Sequence, residues 1–244
     1  MTNYWKIVNN VIKSSDILLE VLDARLIGES RNVEIEEKVK KAGKPLIYVI
    51  NKCDLVAKEK LDAAKRELKP CAFISAKEHL GTSYLREEIM KRAPKGSFKV
   101  GVLGYPNTGK SSVINLLKGR NAAPTSPISG YTRGFQLIRV NRRMYLLDTP
   151  GVFPYMEKDE GKHAMIAAKT FSSLKDPEGA AMELIERFPK LIEEYYGVKH
   201  SDDPEEVLES IAFKLNKLKK GGLPENNAAA RIVLKDWQEG KIKK

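Results

Sequence analysis

Short apolar runs rich in Ile, Val and Leu alternate with amphipathic stretches through most of the chain. That alternation predicts strands joined by helices, hence a mostly parallel α/β sheet. The candidate strands are Ile17–Leu22, Leu46–Ile50, Cys71–Ile74, Phe98–Leu103, Phe135–Val140 and Met144–Leu147. The run Leu46-Ile47-Tyr48-Val49-Ile50 is apolar at nearly every position, as in a strand covered on both faces. The last two strands flank Asn141-Arg142-Arg143 and read as a hairpin. Helical spacing covers about 3–14, 31–42, 58–68, 82–92 and 110–118, and Pro94-Lys95-Gly96-Ser97 reads as a linker. Beyond about residue 156 the strand signals stop. Asp176-Pro177-Glu178 and Asp203-Pro204-Glu205-Glu206 each place an Asp cap, a first-turn Pro and acids at a helix start. Those helices are expected to run to about Phe188 and Lys219, with Gly221-Gly222 ending the second and a last helix from about Glu225 to Gln238. The expected organisation is therefore an α/β domain over 1–156 and a small all-α domain over 157–244.

Charge adds a partner class. The net charge of +11 lies in the first part of the chain: residues 1–156 carry 27 Lys+Arg against 15 Asp+Glu, and residues 157–244 carry 16 against 17. No acid occurs between Glu88 and Asp148, where eleven basic residues fall. A field of one sign attracts polyanions, both nucleotide phosphates and RNA. No apolar run reaches the roughly 20 residues of a membrane span, and the two cysteines, Cys53 and Cys71, form no metal or disulfide pattern. A cytoplasmic, monomeric protein with no membrane partner is expected.

Gly104-Tyr105-Pro106-Asn107-Thr108-Gly109-Lys110-Ser111 fits GxxxxGKS, between a predicted strand and a predicted helix. In such a P-loop, backbone N–H groups and the helix N-terminus surround phosphates. Lys110 is expected on the β- and γ-phosphates and Ser111 on Mg²⁺; Asn107, Thr108, Gly109 and Ser112 complete the phosphate-binding run. Asn51-Lys52-Cys53-Asp54 ends the Leu46–Ile50 strand and resembles the NKxD motif of GTPases, in which the Asp accepts two hydrogen bonds from guanine. Adenine lacks that donor pair, so it would leave a carboxylate unpaired. Ser75-Ala76-Lys77, after another strand, resembles the SAK motif, in which a backbone N–H meets guanine O6. Asp148-Thr149-Pro150-Gly151 fits DxxG, placing Asp148 toward Mg²⁺ and the Gly151 N–H toward the γ-phosphate. Thr132 is the candidate switch threonine on Mg²⁺, with Thr125 second. Each motif closes a predicted strand, where α/β sheets bind ligands.

Their order is unusual. Ordinary GTPases run from P-loop to DxxG to NKxD to SAK, whereas here the base-reading motifs come first. With Asp23-Ala24-Arg25, Ser30-Arg31-Asn32 and the P-loop Gly104–Ser112, this order resembles the circularly permuted ribosome-assembly GTPases of the YlqF/RbgA (YawG-like) family. The resemblance covers nearly the whole chain and, more weakly, a C-terminal helical module around Gly221-Gly222 and Arg231–Leu234. It implies a circularly permuted P-loop GTPase fold, bound GTP or GDP with Mg²⁺, and hydrolysis of GTP in assembly of the large ribosomal subunit. It also implies rRNA binding through the helical module and the GTPase face. The histidine near the N-terminus of bacterial members has no counterpart, since the three histidines are His79, His163 and His200.

Where a Ras-type protein carries a water-orienting Gln after DxxG, this chain has Val152 and then Phe153. Slow intrinsic hydrolysis is therefore expected, with K⁺ beside Asn107 supplying the missing charge. A second reading is a nucleotide-gated RNA-binding scaffold with negligible hydrolysis; a third, a metabolic P-loop kinase, is disfavoured by NKxD and SAK. The tail 217–244 is basic, and Arg231 with Lys235 shares a helical face. It is expected to dock on rRNA phosphates, with the GTP state setting its orientation.

Overall fold

The computed structural model describes residues 3–119, 136–148 and 174–243. Thr125, Thr132, Gly151, Val152 and Phe153 lie outside the described residues. The chain divides into two compact units, Met1–Glu157 and Lys158–Lys244.

The first unit is built on six strands: β1 (Ile17–Asp23), β2 (Leu46–Asn51), β3 (Cys71–Phe73), β4 (Phe98–Leu103), β5 (Gln136–Arg139) and β6 (Met144–Asp148). They form one sheet in the order β3-β2-β1-β4-β6-β5. All neighbours are parallel except β5 and β6, the hairpin expected from Asn141–Arg143. The chain thus winds outward from β1 through β2 to β3, and in the other direction from β4 to the edge strand β5, returning as β6 between them. The two halves meet at the β1–β4 pair, where Ile17 is in register with Val100 and Glu20 with Leu103. A reversal of this kind leaves a crevice at the carboxyl ends of the central strands.

Every residue of β1 is buried, because helices cover both faces. Ile17, Leu19 and Val21 point to one side, packing with Ile47, Val49, Val100 and Val102 under α5 (Thr82–Arg92) and α6 (Lys110–Lys118). On the other side Leu18 meets Val8, Val11, Ile12, Ile35 and Val39 of α1 (Asn3–Ser14) and α3 (Val33–Lys41). Leu22 and Ile50 meet Ala64 of α4 (Lys58–Glu67). The helix expected over 31–42 is α3, which Asn32 starts by accepting a hydrogen bond from Ile35 N–H at 3.1 Å; a single turn that the pattern does not show, α2 (Ile27–Ser30), precedes it.

The second unit contains α7 (Pro177–Arg187), α8 (Leu191–Tyr196), α9 (Pro204–Lys214) and α10 (Asn226–Gln238). The Asp caps act as expected: Asp176 accepts from Gly179 N–H and Asp203 from Glu205 N–H, both at 2.9 Å. Its core joins Ala181, Leu184, Val207, Ile211, Val233 and the fully buried Trp237, whose ring lies 4.7 Å from that of Phe188. The helix from Asp203 stops at Lys214, short of Lys219, because Asn216 takes a left-handed conformation at φ 52°. Gly221-Gly222 instead forms the tip of a tight hairpin, closed by a bridge between Leu218 and Pro224. No helix among the described residues is long and apolar enough to cross a membrane.

Candidate nucleotide site

Because β1, β2, β3, β4 and β6 are parallel, their carboxyl ends share one edge of the sheet. That edge collects Asp23, the loop Asn51–Asp54, the loop Ser75–Lys77, the loop Gly104–Lys110 and Asp148, which closes β6. Motifs scattered over more than half of the chain thereby become neighbours.

The P-loop is held in a conformation that most residues resist. Gly104, Asn107 and Gly109 all have positive φ, at 138°, 59° and 99°. At Gly109, which caps α6, a Cβ would stand 2.1 Å from Asn51 Nδ2, so only glycine lets the loop approach the base-reading loop this closely. Inside the loop, Lys110 is buried and donates from Nζ to the Tyr105 carbonyl at 2.6 Å, while the buried Thr108 hydroxyl donates to the same oxygen at 2.9 Å. Lys110 is thus folded over the loop, and Asn107, Ser111 and Ser112 stand exposed around it. A glycine-lined cradle with a lysine and an exposed serine on the first helical turn fits the phosphates of a Mg²⁺-nucleotide.

Asn51 joins three loops. Its Nδ2 donates to the Thr108 carbonyl of the P-loop at 2.9 Å, and its Oδ1 accepts from Ala76 N–H at 3.1 Å. Asn51 is 3% exposed, so both bonds are shielded from water. The Ala76 N–H, a candidate partner of guanine O6, is therefore turned toward Asn51, while Lys77 is exposed. Ser75 is buried and caps its own loop by accepting from Glu78 N–H at 3.1 Å. Asp54 lies half-buried on a 3₁₀ turn, Cys53–Leu55, at the mouth of this edge.

The sequence did not assign a role to Asp23, although it flagged the Asp-Ala-Arg run. Asp23 is fully buried and takes the Arg25 guanidinium in a fork, at 3.0 Å to Nε and 2.8 Å to Nη2. Its Oδ2 also accepts from Lys52 Nζ at 2.6 Å. Burial opposes ionisation of Asp23, but Arg25 and Lys52 outweigh it and hold the carboxyl well below the usual carboxylate range. Burial draws the Lys52 ammonium below the usual lysine range, with Asp23 resisting. Lys52 itself has φ 61°, a left-handed residue whose tip is held by Asp23. The next motif continues the scaffold: Ser30 Oγ accepts from Asp23 N–H at 3.1 Å, and Asn32 N–H donates to the buried Glu20 at 2.8 Å. Burial pushes the Glu20 carboxyl up to about 8.

Comparison with known proteins follows the same lines. Residues 99–216 match the family of 50S ribosome-binding GTPases, and residues 35–155 match the RsgA GTPases. An uncharacterised GTP-binding protein of Methanocaldococcus jannaschii is 40% identical over 97% of this chain and 65% of its own length. Nucleolar GTP-binding protein 2 of Cryptococcus neoformans var. grubii is 36% identical over 98% of this chain and 37% of its own. Nuclear/nucleolar GTPase 2 of Arabidopsis thaliana is 33% identical over 98% and 43%. The chain thus spans roughly one to two thirds of the length of these relatives. Among solved structures, GNP-bound YlqF from T. maritima superposes with a TM-score of 0.71 at 21% identity, covering 99% of this chain and 96% of that one. With base-reading motifs ahead of the P-loop on one sheet edge, and with these relatives, the chain belongs to the circularly permuted, YlqF-like P-loop GTPases.

Proposed function

We propose that the protein binds GTP and hydrolyses it to GDP and phosphate, acting as a switch in assembly of the large ribosomal subunit through rRNA. The observation that carries the reading is the Asn51 link, which sets a guanine-type base-reading loop directly against a phosphate-binding loop. The partner comes from the family described as 50S ribosome-binding and from relatives named nucleolar. In this reading residues 1–156 are the GTPase domain and 157–244 the RNA-binding helical domain, in a cytoplasmic monomer.

Lys110 leaves the Tyr105 carbonyl for the β- and γ-phosphates, and Asp54 accepts the two guanine donors. Ser111, Thr132 and Asp148 would hold Mg²⁺, which would supply charge neutralisation at the phosphates. The Gly151 N–H senses the γ-phosphate. With Val152 where a water-orienting Gln would stand, hydrolysis is slow alone and is raised by the ribosomal particle and by K⁺ held near Asn107. A scaffold without useful hydrolysis is the rival that Val152 favours, and single-turnover rates with and without ribosomal subunits separate the two. The deciding test is co-sedimentation with ribosomal particles in a non-hydrolysable GTP analogue against GDP. Large-subunit precursors should be retained in the analogue only. Equal retention in both nucleotides, or none, would refute the switch.

A further inference from the structure

The basic hairpin of the helical unit is its best-defined unassigned surface. α9 ends at Lys214, Asn216 reverses the chain, and Lys217 N–H bonds back to Ala212 at 2.8 Å. From there a short ladder fixes the loop. Lys219 N–H donates to the Leu223 carbonyl at 2.8 Å, Gly222 N–H to Lys219 at 3.1 Å, and Glu225 N–H to Lys217 at 2.8 Å. Gly221 and Gly222, at φ 96° and 80°, make the tip. The hairpin is therefore a held shape rather than a loose tail.

Its surface composition is one-sided. The segment 213–224 contains Lys214, Lys217, Lys219 and Lys220 and no acid. Lys214, Lys219 and Lys220 are exposed, and none of the four lysines is drawn into an ion pair among the described residues. Two other basic groups of the tail are more committed: Lys241 pairs with Asp236 and Glu239, each at 2.8 Å, and Arg231 Nε bonds Asn227 at 3.0 Å. Beside the lysines stand large apolar groups with no core to enter. Phe213 is 53% exposed and Leu223 66%. Leu218, between them in sequence, is also exposed, at 38%, so the hairpin carries large apolar groups among its lysines. An aromatic face with neighbouring cations takes unpaired bases by stacking, while the cations track the phosphates.

We propose that Phe213 and the hairpin Lys217–Leu223 form a grip for unpaired RNA, with Phe213 stacking on a base and Lys217, Lys219 and Lys220 on the flanking phosphates. The proposal rests on the RNA-binding part of the function above and replaces the Arg231–Lys235 face as the principal contact. It predicts preference for single strands over duplex, because a stacked base must be unpaired.

The test is equilibrium binding of the full chain to a labelled mixed-sequence RNA, single-stranded and as a duplex, over a salt series. K217Q/K219Q/K220Q should flatten the salt slope by up to about 2, at roughly 0.7 per phosphate contact on single strands. F213A should weaken single-strand binding about tenfold or more with the slope unchanged. K58Q/K65Q/K69Q, on the other unit, should change neither. Binding of a labelled GTP analogue and the melting temperature are followed in the same samples, to show that each variant is folded. Wild-type RNA binding that survives both F213A and the hairpin triple variant overturns the grip and leaves the RNA function standing. Equal losses in K58Q/K65Q/K69Q overturn it in favour of diffuse charge. Absence of any RNA binding, with pelleting on vesicles of anionic lipid instead, overturns both the grip and the RNA function.

Discussion

Asn51→Ala tests whether the site is organised by contacts between loops rather than by chain connection. The substitution removes a side chain that is 3% exposed and leaves two groups without partners, the Thr108 carbonyl and the Ala76 N–H. An orphaned buried polar group costs about 1–3 kcal/mol. Thr108 is fully buried and bears most of that cost, whereas Ala76 is half-buried and open to some water. The expected total is about 2–4 kcal/mol. In a unit of this size each kcal/mol lowers the melting temperature by roughly 2–4 °C, so a fall of about 5–15 °C is expected. If nucleotide has to reorganise the unlinked loops, the same energy appears as a weakening of Kd by up to about 30- to 1,000-fold. Calorimetric melting and nucleotide titration measure both. GTP, GDP and xanthosine triphosphate should weaken in proportion, because the lost contacts are geometric and not base-specific. Unchanged melting together with unchanged affinity would show that Asn51 does not hold the loops.

Four further outcomes are expected. Asp54→Asn should weaken GTP by orders of magnitude and move preference toward xanthosine triphosphate; competition binding checks the ranking, and retained GTP preference would remove Asp54 from base reading. Lys110→Ala should abolish tight nucleotide binding while melting like wild type, because its ammonium serves a loop carbonyl and not the core. GTP hydrolysis with ribosomal subunits should be faster in K⁺ than in Na⁺ at equal ionic strength, and equal rates would exclude the ion beside Asn107. For Glu20, whose carboxyl is raised to about 8, the folded state holds a proton that the unfolded state gives up above about 4.5. Stability from this group is complete below about pH 4.5 and is lost as pH rises toward 8; Glu20→Gln should flatten a decline of a few kcal/mol, and denaturant melts giving both proteins one slope from pH 5 to 8 would contradict the assignment.

The strands and their order of function were legible because each is a run of apolar residues ending in a recognisable loop. Leu46–Asn51 followed by Lys-Cys-Asp is the plainest case. The short helices were not. Ile27–Ser30 is one turn and Leu191–Tyr196 is six residues, too few for a helical period to show. The helix from Asp203 ends sooner than its pattern suggests, because Leu215-Asn216-Lys217-Leu218 keeps an amphipathic spacing and the stop is a single left-handed asparagine. At the site, residue types were readable but their partners were not. Asn51 reaches Thr108 over 57 positions and Lys52 reaches Asp23 over 29. Such pairings depend on strand order, which local pattern does not contain.

That dependence also explains how the motifs can be reordered without loss of the site. The base-reading half, β1 to β3, and the phosphate half, β4 to β6, are joined in sequence through α5 and the Pro94–Ser97 linker. The joint that matters to the ligand is elsewhere, at the carboxyl end of β1. On one side β1 pairs with β4, which launches the P-loop, and on the other with β2, where Asp23 lies opposite Asn51. The Ala24 N–H donates to the Asn51 carbonyl at 2.9 Å, and the Asp23 carboxylate holds Lys52. A buried carboxylate is tolerated there only because Arg25 and Lys52 both meet it, so a paired ion cluster fixes the loop that reads the base. None of these contacts requires a particular order along the chain. They require that β1 separate β2 from β4, and any sequence order that preserves this neighbourhood returns the same edge, with Asn51 against Thr108 and Lys52 against Asp23.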